Sequence, residues 1–198
     1  MMWKQMVRLA GPAAVLSWLV ALATFGARLP DYDQMRHPVS LLGAAGVPGA
    51  DAFNLFGFLL PGALAVLACV GLLLRMPAGT PRALRVAAQM LLLSGLAFAA
   101  MGVFPLDAGD IGNRASQVHA SLWLFWLVAF CTGAGALWLG ARGQRGWRPL
   151  ARLGLACALW MLCSAFLFNH VMPAAMAQRL AFLAWALWLA LAARLLPD

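Results

Sequence analysis

Residues 117–141 read QVHASLWLFWLVAFCTGAGALWLGA, an apolar run without a single Asp, Glu, Lys or Arg. About 20 mostly apolar residues in a helix cross the hydrocarbon core of a bilayer, so this run alone calls for lipid as solvent. Five further stretches have the same character: 9–28, 53–74, 86–106, 153–171 and 177–196. Between them stand residues that end helices: Pro30 and Pro38, Pro77 and Pro81, Pro105 with Gly109 and Gly112, the segment 142–149, and Pro173. The expected fold is all-α, one membrane domain over residues 1–198 built as a bundle of six transmembrane helices. Its longest connection is the segment 29–52.

Composition agrees. The chain is 64% hydrophobic and 10% charged, whereas soluble domains carry about 25% charged residues. A water-soluble globule, a disordered chain and a disulfide scaffold are excluded. A net charge of +8 would point to nucleic acid in a soluble domain, but here the cations sort by loop. Lys4, Arg8, Arg75, Arg82, Arg85, Arg142, Arg145, Arg148, Arg152 and Arg194 fall on one side, and Arg28, Arg36, Arg114 and Arg179 on the other. The positive-inside rule then places both termini in the cytoplasm of a bacterium, the chain in its inner membrane, and segments 29–52, 107–116 and 170–176 outside. Membrane lipids, not nucleic acid, are the expected partners.

Lys4 and Arg8 before the first apolar run imitate a secretory signal. The run is longer than the roughly 7–15 residues of a signal core, and it is read as an uncleaved helix. Cys69, Cys131, Cys157 and Cys163 all lie inside expected spans, where they pack as small apolar residues. Gly133, Gly135 and Gly140 permit close helix contact, within the chain or in a homodimer.

The reactive side chains are one-sided. Asp31, Asp33, Asp51, Asp107 and Asp110 lie on the outer side or at outer helix ends, with His37, His119, His170, Asn54, Asn113, Asn169 and Tyr32. The span middles hold no Asp, Glu, Lys, Arg or His, which counts against ion-coupled transport. Val39 to Val47 is too apolar for a solvated loop, so the 29–52 segment is expected to lie against the leaflet as a lid or floor over a cavity.

Two chemistries fit this rim. His37, His119 and His170, or two of them with Asp107, supply the ligand count of a catalytic zinc with an open position for water, which the metal would activate by lowering its pKa to about 7. Without metal, Ser40 would be the nucleophile, His37 or His119 the base and Asp107 its orienting carboxylate. In either case Arg36 or Arg179 would anchor an anionic headgroup through the guanidinium fork, and Asn54 and Tyr32 would complete the substrate-binding set. The plainer alternatives are that interface His and Asn satisfy helix ends, that Asn113 or Ser116 caps the fourth helix, that Ser40 sits in a turn beside Pro38, and that Asp107 pairs with Arg114 or Arg179.

Several short motifs, in order along the chain, carry a resemblance: Arg36-His-Pro-Val-Ser40, Phe53-Asn-Leu-Phe-Gly57, Phe104-Pro-Leu-Asp107, His119 opening the fourth helix, and Gln178-Arg179. With these the chain resembles the bacterial domain-of-unknown-function family numbered 998. The resemblance implies a six-helix integral membrane protein and no particular activity. It places His37, Ser40, Asp107, His119 and Arg179 on motif positions, whereas His170 has no place in the pattern. A more distant analogy is to the membrane hydrolases that include alkaline ceramidases and progestin-type receptors, which group His, Asp and Ser at one rim. That superfamily has an additional core helix and a closely spaced histidine pair, and neither appears here. The expected function is a metal-dependent hydrolase acting on a lipid or lipid-linked substrate at the outer leaflet. The alternatives are a lipid-handling or transport protein and a non-catalytic accessory subunit.

Overall fold

The computed structural model describes residues 2–195. Met1, residues 196–198 with Asp198 and the expected end of the last span, and the Lys4 side chain lie outside the described part. Six helices follow one another: α1 (Met2–Arg28), α2 (Ala50–Leu74), α3 (Arg82–Val103), α4 (Arg114–Gly140), α5 (Arg148–Phe166) and α6 (Ala174–Ala192). Each is long and apolar enough to cross a membrane, so the chain is a multi-pass membrane protein.

The helix boundaries follow local chemistry. α3 stops at Val103, short of the expected 106, because Phe104 precedes Pro105 and leaves the helical region with φ −113° and ψ 82°; a residue before proline is crowded out of the α conformation. α5 starts at Arg148 rather than 153, with Pro149 in its first turn, where a missing N–H costs nothing. α6 begins directly after Pro173. Asn113 caps α4, its side-chain oxygen accepting from the Ser116 amide at 2.9 Å, as its residue type predicts.

Each helix packs on the next in chain order, and α6 returns to α1, closing a ring. Apolar burial gives little drive between helices in lipid, so close approach and dispersion decide the packing. A side chain at Gly62 would run into the backbone of Ala99 across α2 and α3, and one at Gly133 would strike Leu91 and the Ala87 carbonyl across α3 and α4. Gly140 is closed by Leu84 in the same way, whereas Gly135 faces open space. Aromatic rings fill the middle of the ring. Phe98 stacks on Trp185 with centroids 4.3 Å apart, Trp126 meets Phe182 at 5.0 Å, and Phe58 and Trp18 reach the same cluster. Such offset and edge-on pairs are worth about 0.5–1.5 kcal/mol each beyond their contact area.

The segment after α1 is folded against the bundle end. Asp31 at φ 60°, Gly46 at φ 83° and Gly49 at φ 81° make its turns, using the residue types that tolerate left-handed backbone. Between the turns, a 3₁₀ turn at Val39–Gly43 buries Val39 and Leu42. The Ala45 amide donates to the Leu106 carbonyl at 2.7 Å, tying the segment to the α3–α4 connection. The first part of α2, Asn54–Leu59, is π-helical, and Asn54 donates from Nδ2 to the Gly43 carbonyl at 2.8 Å.

Candidate functional site

A cavity of about 330 Å³ opens at this end between α4, α5 and α6. Its polar wall is Ser40 from the 3₁₀ turn, His119 from α4, Ser164 from α5, Asn169 from the following turn and Gln178 from α6. Small residues, Ala120, Ala165, Ala174 and Ala177, leave the space, and Trp123 and Leu106 give it apolar surface. No formally charged side chain lines it.

His119 is buried, with its ring edge-on to Phe58 at 5.9 Å. Its Nδ1 lies 2.9 Å from the Phe104 carbonyl, the group freed where α3 breaks before Pro105. A carbonyl only accepts, so Nδ1 carries a proton, and in the neutral ring Nε2 then keeps its lone pair. Ser164 is 1% exposed and its hydroxyl has no hydrogen-bond partner among the described residues. Gln178 accepts from the Val39 amide at 3.3 Å through Oε1, which leaves its NH₂ group available.

The other expected residues do different work. Asp107 is the hub of the α3–α4 turn. Its Oδ1 accepts from the Gly109 amide at 2.9 Å and the Asp110 amide at 3.3 Å, and its Oδ2 accepts from Asn113 Nδ2 at 2.7 Å. It bonds no histidine, so the expected arrangement of Ser40, a histidine base and an orienting Asp107 is not assembled. Nor does it pair with Arg114 or Arg179; among the described residues the ion pair formed is Arg36 with Asp33, at 3.6 Å and exposed.

The expected three-histidine metal set is not assembled either. Among the described residues no group of three or more His, Cys, Asp or Glu is placed to hold a metal ion. His37 accepts through Nδ1 from the Asp33 amide at 2.9 Å within its own turn, and His170 is exposed at the end of a 3₁₀ turn. Of the catalytic and metal sets, Ser40 and His119 share the cavity; His37, His170 and Asp107 do not line it.

The expected substrate contacts are structural in their geometry. Arg179 is buried and spends all five N–H groups. Nε donates to Gln34 Oε1 at 3.2 Å, Nη1 to the carbonyls of His37 at 2.8 Å and Ala175 at 3.0 Å, and Nη2 to the Tyr32 hydroxyl at 2.6 Å and Gln34 Oε1 at 2.9 Å. The Tyr32 hydroxyl donates onward to the Pro38 carbonyl at 3.2 Å. Burial raises the Tyr32 pKa above its ordinary value, and the Arg179 charge and hydrogen bond only partly oppose that, so the phenol is protonated at neutral pH. Arg179 is a clasp that holds residues 32–38 onto α6, with no donor left for a phosphate. Asn54 is committed to Gly43, and Arg36 points away to solvent with Asp33.

Ser164 is not among the residues that the sequence singles out, and Gln178 stands out there only as half of a motif. What marks them is position, each within about a turn of the helix end that carries the histidines and asparagines.

No curated protein and no solved structure matches the chain. The family model described as "Protein of unknown function (DUF998)" matches residues 9–195, which takes in every residue lining the cavity and all but the start of α1, and the chain belongs to that family.

Proposed function

We propose that this protein handles an amphiphile, taking the uncharged polar part of a lipid or lipid-linked molecule into the cavity beside His119. The observation that carries the reading is the lining itself: hydroxyls, carboxamides and an imidazole, with no formal charge, in a cavity walled by alanines and Trp123. Burying a charged headgroup against such a wall leaves the charge uncompensated, whereas a hydroxyl or amide exchanges its water for matched partners. At about 330 Å³ the space is at the low end of small-molecule sites, roughly 300–1,000 Å³, which suits a headgroup with its tail left in the bilayer. The sorting of cations to the opposite helix ends supports an outward orientation of this cavity in a bacterial inner membrane.

The test is native mass spectrometry of the full chain purified with its lipids, wild type beside Asn169→Leu and Ser164→Val. Wild type retains a lipid that both variants lose while their melting curves stay cooperative; retention of the same lipid by both variants overturns the reading.

One observation favours a hydrolytic version: Ser40 and His119 share the cavity wall, and the His119 tautomer leaves Nε2 free to accept a proton. In that version Ser40→Ala keeps the bound lipid and abolishes its turnover. Turnover undiminished in Ser40→Ala removes the hydrolytic version.

A further inference from the structure

The opposite end of the bundle holds a second cavity, of about 240 Å³, where α4 runs into α5. It is lined by Arg142, Arg148, Arg152, Trp138, Ala141 and Ala151. Three guanidinium groups face one small space, and none of them is in an ion pair among the described residues. The carboxylates of the described residues all lie toward the other end, in the α1–α2 and α3–α4 connections and the first turn of α2.

Helix electrostatics accounts for only part of this. Arg142 follows the C-terminus of α4, where a cation is favoured, but Arg148 and Arg152 stand in the opening turns of α5, where the helix dipole disfavours them and no acidic residue offsets them. Nor are the side chains simply splayed in water: Arg148 donates from Nη2 to the Arg142 carbonyl at 3.0 Å, which bridges the two helix ends across the cavity. The floor is apolar. Ala141 and Ala151 are buried and Trp138, near the end of α4, is 36% exposed; tryptophan is the residue type that collects at the interfacial level of bilayers.

We propose that this cavity binds the phosphodiester headgroup of an anionic phospholipid, with the guanidiniums on the phosphate oxygens and Trp138 and the two alanines against the glycerol and the first methylenes. Three like charges brought together without a counter-ion repel one another, and a phosphate among them reverses the sign of that interaction. Arginine matches phosphate bidentately, and basic pockets between membrane helices take lipid headgroups in this way. The apolar floor selects a lipid over free phosphate, which has nothing to place there. This inference concerns the other end of the molecule and stands whether or not the His119 cavity takes an amphiphile.

The experiment titrates the full chain in detergent micelles with phosphatidylglycerol and with phosphatidylcholine, following bound lipid by native mass spectrometry. Two charge-matched double variants are compared. Arg142→Gln/Arg152→Gln empties the cavity of two cations and leaves the Arg148 hydrogen bond intact. Arg8→Gln/Arg194→Gln removes two cations that line a different cavity at the same end. At about fivefold per arginine, the first double variant binds phosphatidylglycerol roughly 25-fold more weakly and the second binds it like wild type. Circular dichroism and melting curves, unchanged in both because the substituted side chains are exposed, show that the fold is kept. Equal losses in the two doubles overturn the proposal in favour of a diffuse basic surface. Equal affinity for the two lipids in wild type, or displacement of phosphatidylglycerol by an equal concentration of inorganic phosphate, also overturns it.

Discussion

The two ends of this bundle carry cavities of comparable size with opposite recognition chemistry. Beside His119 the wall is hydroxyl, carboxamide and imidazole with no formal charge; beside Trp138 it is three arginines on an apolar floor. Neutral hydrogen bonds depend on distance and angle and respond weakly to salt, whereas exposed charges act at longer range and fade as ionic strength rises. The contrast extends to the buried cation of the first end. Arg179 is buried and satisfied by neutral acceptors alone, so it acts on the fold, while Arg142, Arg148 and Arg152 are exposed and free to act on a ligand. Two arginine populations in one chain therefore answer to different tests.

The largest effect is expected at the clasp. Arg179→Met strands Gln34, Tyr32 and the His37 carbonyl together; with about 1–3 kcal/mol for each buried group left unpaired, stability in detergent falls by roughly 3 kcal/mol or more. Lipid at the His119 cavity is lost with it, because Ser40 is carried by the segment that the clasp holds, while phosphatidylglycerol binding at the arginine end is unchanged. Loss at both ends would show that the two sites are not separate.

Next in size is Asp107→Ala, which removes the acceptor of three turn hydrogen bonds and costs about 1–2 kcal/mol, read as a lower melting temperature. Lipid binding beside His119 persists. Abolished function in a folded Asp107→Ala protein would restore the carboxylate to the chemistry.

Ser164→Ala separates stability from binding. Removing a buried hydroxyl that has no partner raises stability by about 1 kcal/mol, while bound lipid falls; a variant that melts lower shows that the hydroxyl is satisfied in the folded protein.

The smallest effect is a pH dependence of the clasp. The Tyr32 pKa is raised in the folded state, chiefly by burial, so its contribution is complete below the unfolded value of about 10 and is lost as pH rises through the higher folded value. Melting temperatures measured between pH 8 and 11 fall further for wild type than for Tyr32→Phe; identical slopes would place that phenol in water.

Much of the fold is legible in the sequence because a lipid solvent imposes length and apolarity directly, as residues 117–141 show. The helix ends shift by a few residues wherever proline chemistry acts, at Pro105, Pro149 and Pro173. The site is less legible. His119, Ser40 and Asn169 were visible as outer-rim polar residues, but nothing in their spacing distinguishes a cavity wall from a turn. Asp107 shows why. A carboxylate two residues past a proline and six before an asparagine fits a catalytic acid and a turn hub equally well, and only the directions of its hydrogen bonds decide. Arg179 fails for a related reason: its charge is visible in the sequence, but the neutral acceptors of its five hydrogen bonds come from residues 32–38 and from its own helix. Gly133 and Gly140, open to either self-packing or dimerisation, turn out to face Leu91 and Leu84 of the same chain, which leaves Gly135 as the glycine of α4 open to a second molecule.

The aromatic cluster on the ring axis bears on permeation. Phe58, Phe98, Trp126, Phe182 and Trp185, all nearly inaccessible, occupy the line along which a pore would run, and the indole N–H of Trp126 there has no partner among the described residues. An ion meeting that cluster would shed its hydration against aromatic surface, which returns little of the lost solvation.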